Sequence, residues 1–208
     1  RDRFAGESRV EIVPGDVLDY DFSRAAGAGK LTVVGNIPYR ISTPILFHLL
    51  KFRNSISGMV LMMQRELVDR ITAVPGGKEY GIPSVLIARY ATTNREMNVA
   101  PSCFYPQPKV VSAVLRITFR DDPGSDSAGE AQFARTVRAA FAKRRKTLWN
   151  NLRSAGYPED LLDEALKRTG ILGNRRAETL SVEEYVTLAR EIATCTDPAK
   201  RLDNRSGI

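Results

Sequence analysis

The chain has 208 residues and a formal net charge of +7, with 43% hydrophobic and 26% charged residues, enough apolar material for a buried core. No apolar run reaches the roughly 18 to 20 residues that cross a bilayer and no secretory core opens the chain, so a cytoplasmic protein is expected. Cys103 and Cys195 lie far apart and His48 is the single histidine, which argues against a disulfide framework, a metal site and imidazole acid–base chemistry.

In chain order, "RDRFAGESRVEIV" begins with Arg and not Met, and reads as a helix end followed by a strand at "VEIV" (10–13). That opening is expected to lie inside a domain. "LTVVG" (31–35) predicts a second strand, running into "NIPY". A helix follows over 43–53, with Ser42 or Thr43 at its cap and Pro44 in its first turn. "SGMVLMMQ" (57–64) predicts a buried strand and "RELVDRITA" a helix, while "VPGGKEYG" (74–81) reads as a loop. "IPSVLIARYA" is helical in pattern, "TNREMNVA" extended, and "VVSAVLRITF" (110–119) is the clearest strand, rich in β-branched residues. Alternating strands and helices predict a largely parallel sheet covered on both faces, with an antiparallel ending.

The polar stretch 121–130, rich in Gly and Ser, reads as a linker. Helices are then expected over 131–143, 145–154, 158–168 and 181–194, the last capped by Ser181 with Glu184 three residues on. The tail 196–208 reads as frayed. Charge concentrates here: no acidic residue falls between Ala131 and Pro158, while Arg135, Arg138, Lys143, Arg144, Arg145, Lys146 and Arg153 do. Such a block points to a polyanionic partner, a solvated helix face being the plainer alternative. Trp149 reads as core.

Ligands of open α/β sheets sit beyond the carboxyl ends of strands, where Asp16 follows "VEIVPG" and Asn36 follows "LTVVG". Asp16 can accept from the amino group of a heterocycle, and equally reads as a turn carboxylate. Asn36-Ile37-Pro38-Tyr39 has a sharper chemistry. The lone pair of an adenine amine is delocalised into the ring. Two acceptors holding its hydrogens, the Asn36 side chain and a backbone carbonyl near Pro38, would turn that lone pair toward an electrophile. Proline restricts its own φ and biases Ile37 to extended backbone, and Tyr39 offers a face for a base. Such catalysis is positioning and fixed electrostatics, with no histidine required. Taken alone, the tetrapeptide reads equally as a strand-ending turn with a buried tyrosine.

Over residues 9 to 190 the sequence resembles the ribosomal RNA adenine dimethyltransferase family, small-subunit KsgA type. "GDVLDYDF" resembles its acidic cofactor motif, "GNIPYRISTPILFHLL" its catalytic motif and "MMQRELVDRITAVPGGKEYG" the following segment. "VAPSCFYPQPKVVSAVLRI" resembles its aromatic loop and closing strand, and "AFAKRRKTLWNNL" and "RRAETLSVEEYVTLA" its helical domain. The resemblance implies a Rossmann-like S-adenosylmethionine-dependent methyltransferase domain, incomplete at its N-terminus, over residues 1–120. A helical RNA-binding domain would cover 131–195. Asn36 would orient the target amine and lie beside the cofactor, Pro38 would supply the backbone carbonyl, and Tyr39 and Phe104 would sandwich a flipped adenine. Asp16 and Val17 would bind the cofactor. Arg40, Lys109, Lys143, Arg144, Arg145 and Lys146 would face RNA, the last four on a basic helix. The implied partners of a monomer are small-subunit rRNA and the immature small ribosomal subunit, with no metal and no membrane. Phe104 alone would read as a core anchor, and Tyr105 beside it has no assigned role.

One departure stands out. The family's Gly-rich loop after its first strand and its acidic residue after the second have no counterpart, since Gly27-Ala28-Gly29 precedes a strand. The sequence is therefore expected to start after the first third of a methyltransferase domain, and the chain as it stands to bind cofactor poorly and to be inactive alone. Three alternatives remain open: a large-subunit methyltransferase of the erythromycin-resistance type, a non-catalytic ribosome-assembly factor, and a DNA adenine methyltransferase.

Overall fold

The computed structural model describes residues 7–120 and 127–196. Its apolar runs become four strands, β1 (Leu31–Asn36), β2 (Ile56–Gln64), β3 (Ala91–Val99) and β4 (Ser112–Phe119). They form one sheet in the order β1-β2-β4-β3. β1 runs parallel to β2, whereas β4 is antiparallel to both of its neighbours. Of the largely parallel sheet expected, the described residues thus hold one parallel pair. The connections explain this. Helix α2 (Ser42–Lys51) carries the chain back from β1 to β2, but no α-helix lies between β3 and β4, so the chain returns antiparallel.

The sheet core gathers Met59, Leu61 and Met63 of β2 with Leu115 and Ile117 of β4, all nearly inaccessible. Over them α2 lays Ile45, Leu46 and Leu49, the i, i+1, i+4 face that its apolar pattern predicts, and α3 (Arg65–Ile71) adds Val68 and Ile71. Each such side chain contributes about 1.5–3 kcal/mol when fully buried. His48 of α2 is structural: its Nε2 lies 2.9 Å from the carbonyl of Tyr20, and its ring packs against Phe22 and Phe52. This cluster fastens the short helix α1 (Phe22–Ala26) to the sheet lobe.

The strand expected at 10–13 is absent. Val10, Ile12 and Val13 are exposed and no described strand lies beside them, and extended backbone becomes a strand only when a neighbour completes its hydrogen bonds. The helix end read at residues 1–6 and the tail from 197 onward fall outside the described residues.

Four helices follow the sheet: α5 (Ser127–Ala140), α6 (Leu148–Ser154), α7 (Glu159–Thr169) and α8 (Val182–Thr196). α5 starts inside the linker expected over 121–130, of which residues 121–126 lie outside the described ones. The basic helix is also corrected: Lys143 to Lys146 sit in the turn between α5 and α6. A run of like charges disfavours helix, and two side chains fix the break. Thr147 caps α6 by accepting from the Asn150 amide. Buried Asn151 donates through Nδ2 to the carbonyls of Ala140 (2.5 Å) and Lys143 (3.0 Å), satisfying the end of α5. Trp149 is half-buried at the rim, with Nε1 donating to Asp163 Oδ1 at 2.9 Å.

Helix α4 (Ile82–Ala88) serves both lobes. Ile87 faces the sheet core, while Val85 and Leu86 join the core of the helices. Arg53 adds a second tie, ion-paired with Glu130 of α5 and lying 4.5 Å above the Tyr90 ring.

The expected cap of α8 is present as a capping box: Glu184 Oε2 accepts from the Ser181 amide (2.8 Å) and Ser181 Oγ from the Glu184 amide (3.2 Å). Hydrogen bonding from Arg175 holds the Glu184 carboxyl below the usual carboxylate range, against the opposing effect of burial. A pKa lower in the folded than in the unfolded state stabilises fully above the unfolded value of about 4.3. That contribution is lost as pH falls through the folded value. Glu184→Gln should therefore lose less stability than the parent between neutral pH and about pH 3, read by urea unfolding at both.

Candidate functional site

Topology brings three strand ends to one edge of the sheet. In the register of the ladder, Asn36 at the end of β1 pairs with Met62, Gln64 at the end of β2 pairs with Ser112, and Val99 at the end of β3 also pairs with Ser112. The segment after β1 and the 100–111 loop before β4 consequently emerge side by side. They enclose a cavity of about 230 Å³ lined by Asn36, Ile37, Pro38, Tyr39, Phe104, Tyr105, Pro106 and Pro108.

Local chemistry holds each wall. Gly35 leaves room for Ile37, whose Cδ1 would stand 2.9 Å from a Cβ at that position, and Ile37 tucks into the core with its amide bonded to the Met62 carbonyl. Pro38 then projects the chain outward. Its carbonyl accepts from the Ile41 amide (3.1 Å) and from Ser42 Oγ (3.0 Å). Two donors occupy its two lone pairs, so the Pro38 carbonyl is not the acceptor expected for a ligand amine. The carbonyl of Ile37 is the open one, as no described residue donates to it. Ser42, expected near the helix cap, is spent on Pro38, and α2 starts without a side-chain cap.

Tyr39 is half-buried and its hydroxyl lies 2.6 Å from Oγ of the fully buried Ser112. That bond reaches across the end of β2, holding the ring between the two cavity walls. Phe104, half-buried, follows a short turn in which its amide donates to the Pro101 carbonyl (3.2 Å). The far end of the loop is pinned where the Arg65 amide meets the Val111 carbonyl (3.0 Å). Asn36 is exposed, with its side chain at the cavity. One amide, one open carbonyl and three aromatic rings thus line a space that holds no carboxylate or imidazole.

Asp16 and Val17 do not line this cavity. Asp16 is exposed and its Oδ1 accepts from the Leu18 amide (2.9 Å), the turn-carboxylate arrangement, while Val17 packs against the sheet core. Arg40 and Lys109 are exposed close in sequence to the lining residues. Lys143, Arg144 and Lys146 lie apart from the cavity, in a second and larger cleft of about 530 Å³ between the lobes. There they meet Arg70 and Lys78, two cations that sequence reading did not single out. The glycines of "VPGGKEYG" were the available signal, since they let that loop turn back toward the helices: the Gly76 amide donates to the Glu178 carbonyl (2.7 Å). Arg145 is exposed and outside the cleft lining.

Comparison with known proteins gives a consistent picture. A family model described as ribosomal RNA adenine dimethylase matches residues 1–194. The chain is 43% identical over 199 residues to ribosomal RNA small subunit methyltransferase A of Syntrophus aciditrophicus, covering 93% of this chain and 71% of that protein. The namesake in Methylococcus capsulatus is 45% identical over 191 residues, covering 91% and 72%. Among solved structures, a dimethyladenosine transferase from Plasmodium falciparum superposes with a TM-score of 0.77 at 23% identity, covering 94% of this chain and 77% of that one. The 23S rRNA methyltransferase ErmE gives 0.65 at 22% identity, covering 93% and 76%. These two likenesses establish the fold, a Rossmann-like methyltransferase sheet followed by helices.

Proposed function

Since the chain belongs to the ribosomal RNA adenine dimethylase family, we propose that it transfers methyl groups from S-adenosylmethionine to the exocyclic amines of adenines in small-subunit rRNA. The observation that carries the reading is the cavity in which Asn36, the open Ile37 carbonyl, Tyr39 and Phe104 converge.

The residues divide the work by their chemistry. The Asn36 side-chain oxygen and the Ile37 carbonyl take the two amine hydrogens, which turns the nitrogen lone pair out of conjugation. Tyr39 and Phe104 present faces to an extruded base, each stacking interaction worth about 1–3 kcal/mol. The Ser112 bond fixes the Tyr39 ring before any base arrives, so little ordering remains for the bound state. No lining group is a base, and the amine proton leaves to water. The cofactor supplies an electrophilic methyl on a sulfonium. The acceptor suited to its adenine amino group is the second oxygen of Asp16, which no described bond takes, while Asn36 would lie beside the cofactor.

The cleft cations Lys78, Lys143, Arg144 and Lys146 face no carboxylate within ion-pair distance among the described residues, which suits phosphate binding on the immature small subunit. Replacing Lys143, Arg144 and Lys146 by Gln should flatten the dependence of log affinity on log salt by about 0.7–0.9 for each phosphate that is no longer neutralised, measured by filter binding.

The deciding experiment incubates the product of the complete reading frame with labelled cofactor and either immature small or large subunits. Label in dimethylated adenine of the small subunit is expected. Label in the large subunit instead would transfer the protein to the ErmE-like activity, and label in neither would overturn the reading.

A further inference from the structure

Of the chain's seven tyrosines, six have a structural use and one does not. Tyr80, Tyr90, Tyr157 and Tyr185 are buried, Tyr20 packs edge-on against Phe22 at 4.9 Å, and Tyr39 is bonded to Ser112. Tyr105 is 102% exposed, as open as a side chain can be, and makes no hydrogen bond or ring contact among the described residues. Yet it lines the same cavity as Asn36, Tyr39 and Phe104.

Its position is not that of a loose loop tip. Pro101, Pro106 and Pro108 restrict the backbone on both sides, and the loop is hydrogen-bonded at Pro101 and Val111. Seating Phe104 leaves the next side chain directed outward, so an aromatic face stands at the mouth of the cavity at little further entropic cost. Exposed Arg40 and Lys109 directly follow the lining residues Tyr39 and Pro108 in sequence, and neither is ion-paired among the described residues.

A flat apolar face at the entrance of a site that takes one extruded base, with an unpaired cation following a lining residue on each of the two walls, matches the chemistry of single-stranded RNA. We propose that Tyr105 stacks on the base adjacent to the one held between Tyr39 and Phe104, acting as a positioning residue that admits unpaired RNA and leaves the reacting amine untouched. The proposal rests on the reading of the cavity as an adenine acceptor.

The test measures kcat and KM for small-subunit methylation with Tyr105→Ala, Tyr105→Phe and Tyr105→Trp. Tyr105→Ala should raise KM by about ten- to a hundred-fold with kcat nearly unchanged, and Phe and Trp should restore it, because the ring and not the hydroxyl acts. A second readout uses a short oligoadenylate with 2-aminopurine at alternate bases, whose fluorescence stacking quenches. The parent and Tyr105→Phe should quench it more than Tyr105→Ala. An alanine variant with unchanged KM and unchanged quenching overturns the proposal, as does failure of Phe to rescue. A parent that quenches through Tyr105 but labels no adenine overturns the methyltransferase reading and leaves the stacking surface standing.

Discussion

Asn36→Ala is expected to lower the rate of methyl transfer by about two to three orders of magnitude, the effect of removing one fixed electrostatic partner of a reacting group. RNA affinity should stay within a few-fold. The expectation follows from where Asn36 sits. It ends β1 and is exposed, so its side chain supports no core packing, and its backbone pairing with β2 survives in alanine. What disappears is one of the two acceptors proposed for the amine hydrogens. The Ile37 carbonyl alone holds one hydrogen and leaves the lone pair free to remain in the ring. Because the cations that would meet phosphate lie in a separate cleft, binding and transfer should come apart in this variant. Single-turnover transfer and filter binding on the same preparation check both halves. A variant that transfers at the parent rate would remove Asn36 from the chemistry.

Tyr185→Ala should destabilise the helical lobe by about 3–5 kcal/mol, the usual cost of deleting a large buried aromatic. Tyr185 is fully buried in α8, stacked on Phe141 with centroids 6.0 Å apart, and its hydroxyl donates to the Ala177 carbonyl at 2.8 Å. Burial pushes its own hydroxyl pKa upward, as it does for neighbouring Tyr80, raised to about 12. Both phenols therefore remain neutral at physiological pH, Tyr185 as the donor to Ala177 and Tyr80 with a buried hydroxyl that finds no partner among the described residues. Alanine leaves a cavity and takes away one of the two donors to the Ala177 carbonyl, which keeps only the Leu180 amide at 3.3 Å, whereas Tyr185→Phe keeps the packing and should cost about 1–2 kcal/mol. Phe141 begins the basic turn, so loosening its stacking on Tyr185 should also weaken RNA binding. Denaturant unfolding of the two variants separates cavity from hydrogen bond.

Much of the site is legible in the order of residues because its parts are local. A strand that runs into Asn-Ile-Pro-Tyr carries its own turn chemistry: proline sets the backbone and glycine admits Ile37. The Ser181–Glu184 capping box is readable for the same reason, as both partners lie within one turn. The basic block is visible as charge, but its conformation is a turn and not the helix its pattern suggests. The deciding bonds come from Thr147 and Asn151, and Asn151 satisfies carbonyls eight and eleven residues upstream. "VEIV" has the pattern of a strand but lacks a described neighbour.

Residue order alone dictates which residues have the chemistry: an amide, a restrained turn and a tyrosine at one strand end, aromatics between prolines, and cations gathered in one block. Tertiary structure alone decided which acceptor is open and which residues meet. The Pro38 carbonyl is taken by Ser42 and Ile41, which leaves Ile37. Phe104 shares a cavity with Tyr39 because β4 returns antiparallel and Ser112 bonds the Tyr39 hydroxyl. Lys78 joins Lys143 because α4 is shared by two cores. Each of these depends on pairings between residues distant in the chain, and hydrogen-bond capacity and shared burial are properties of the packed state, not of any single segment.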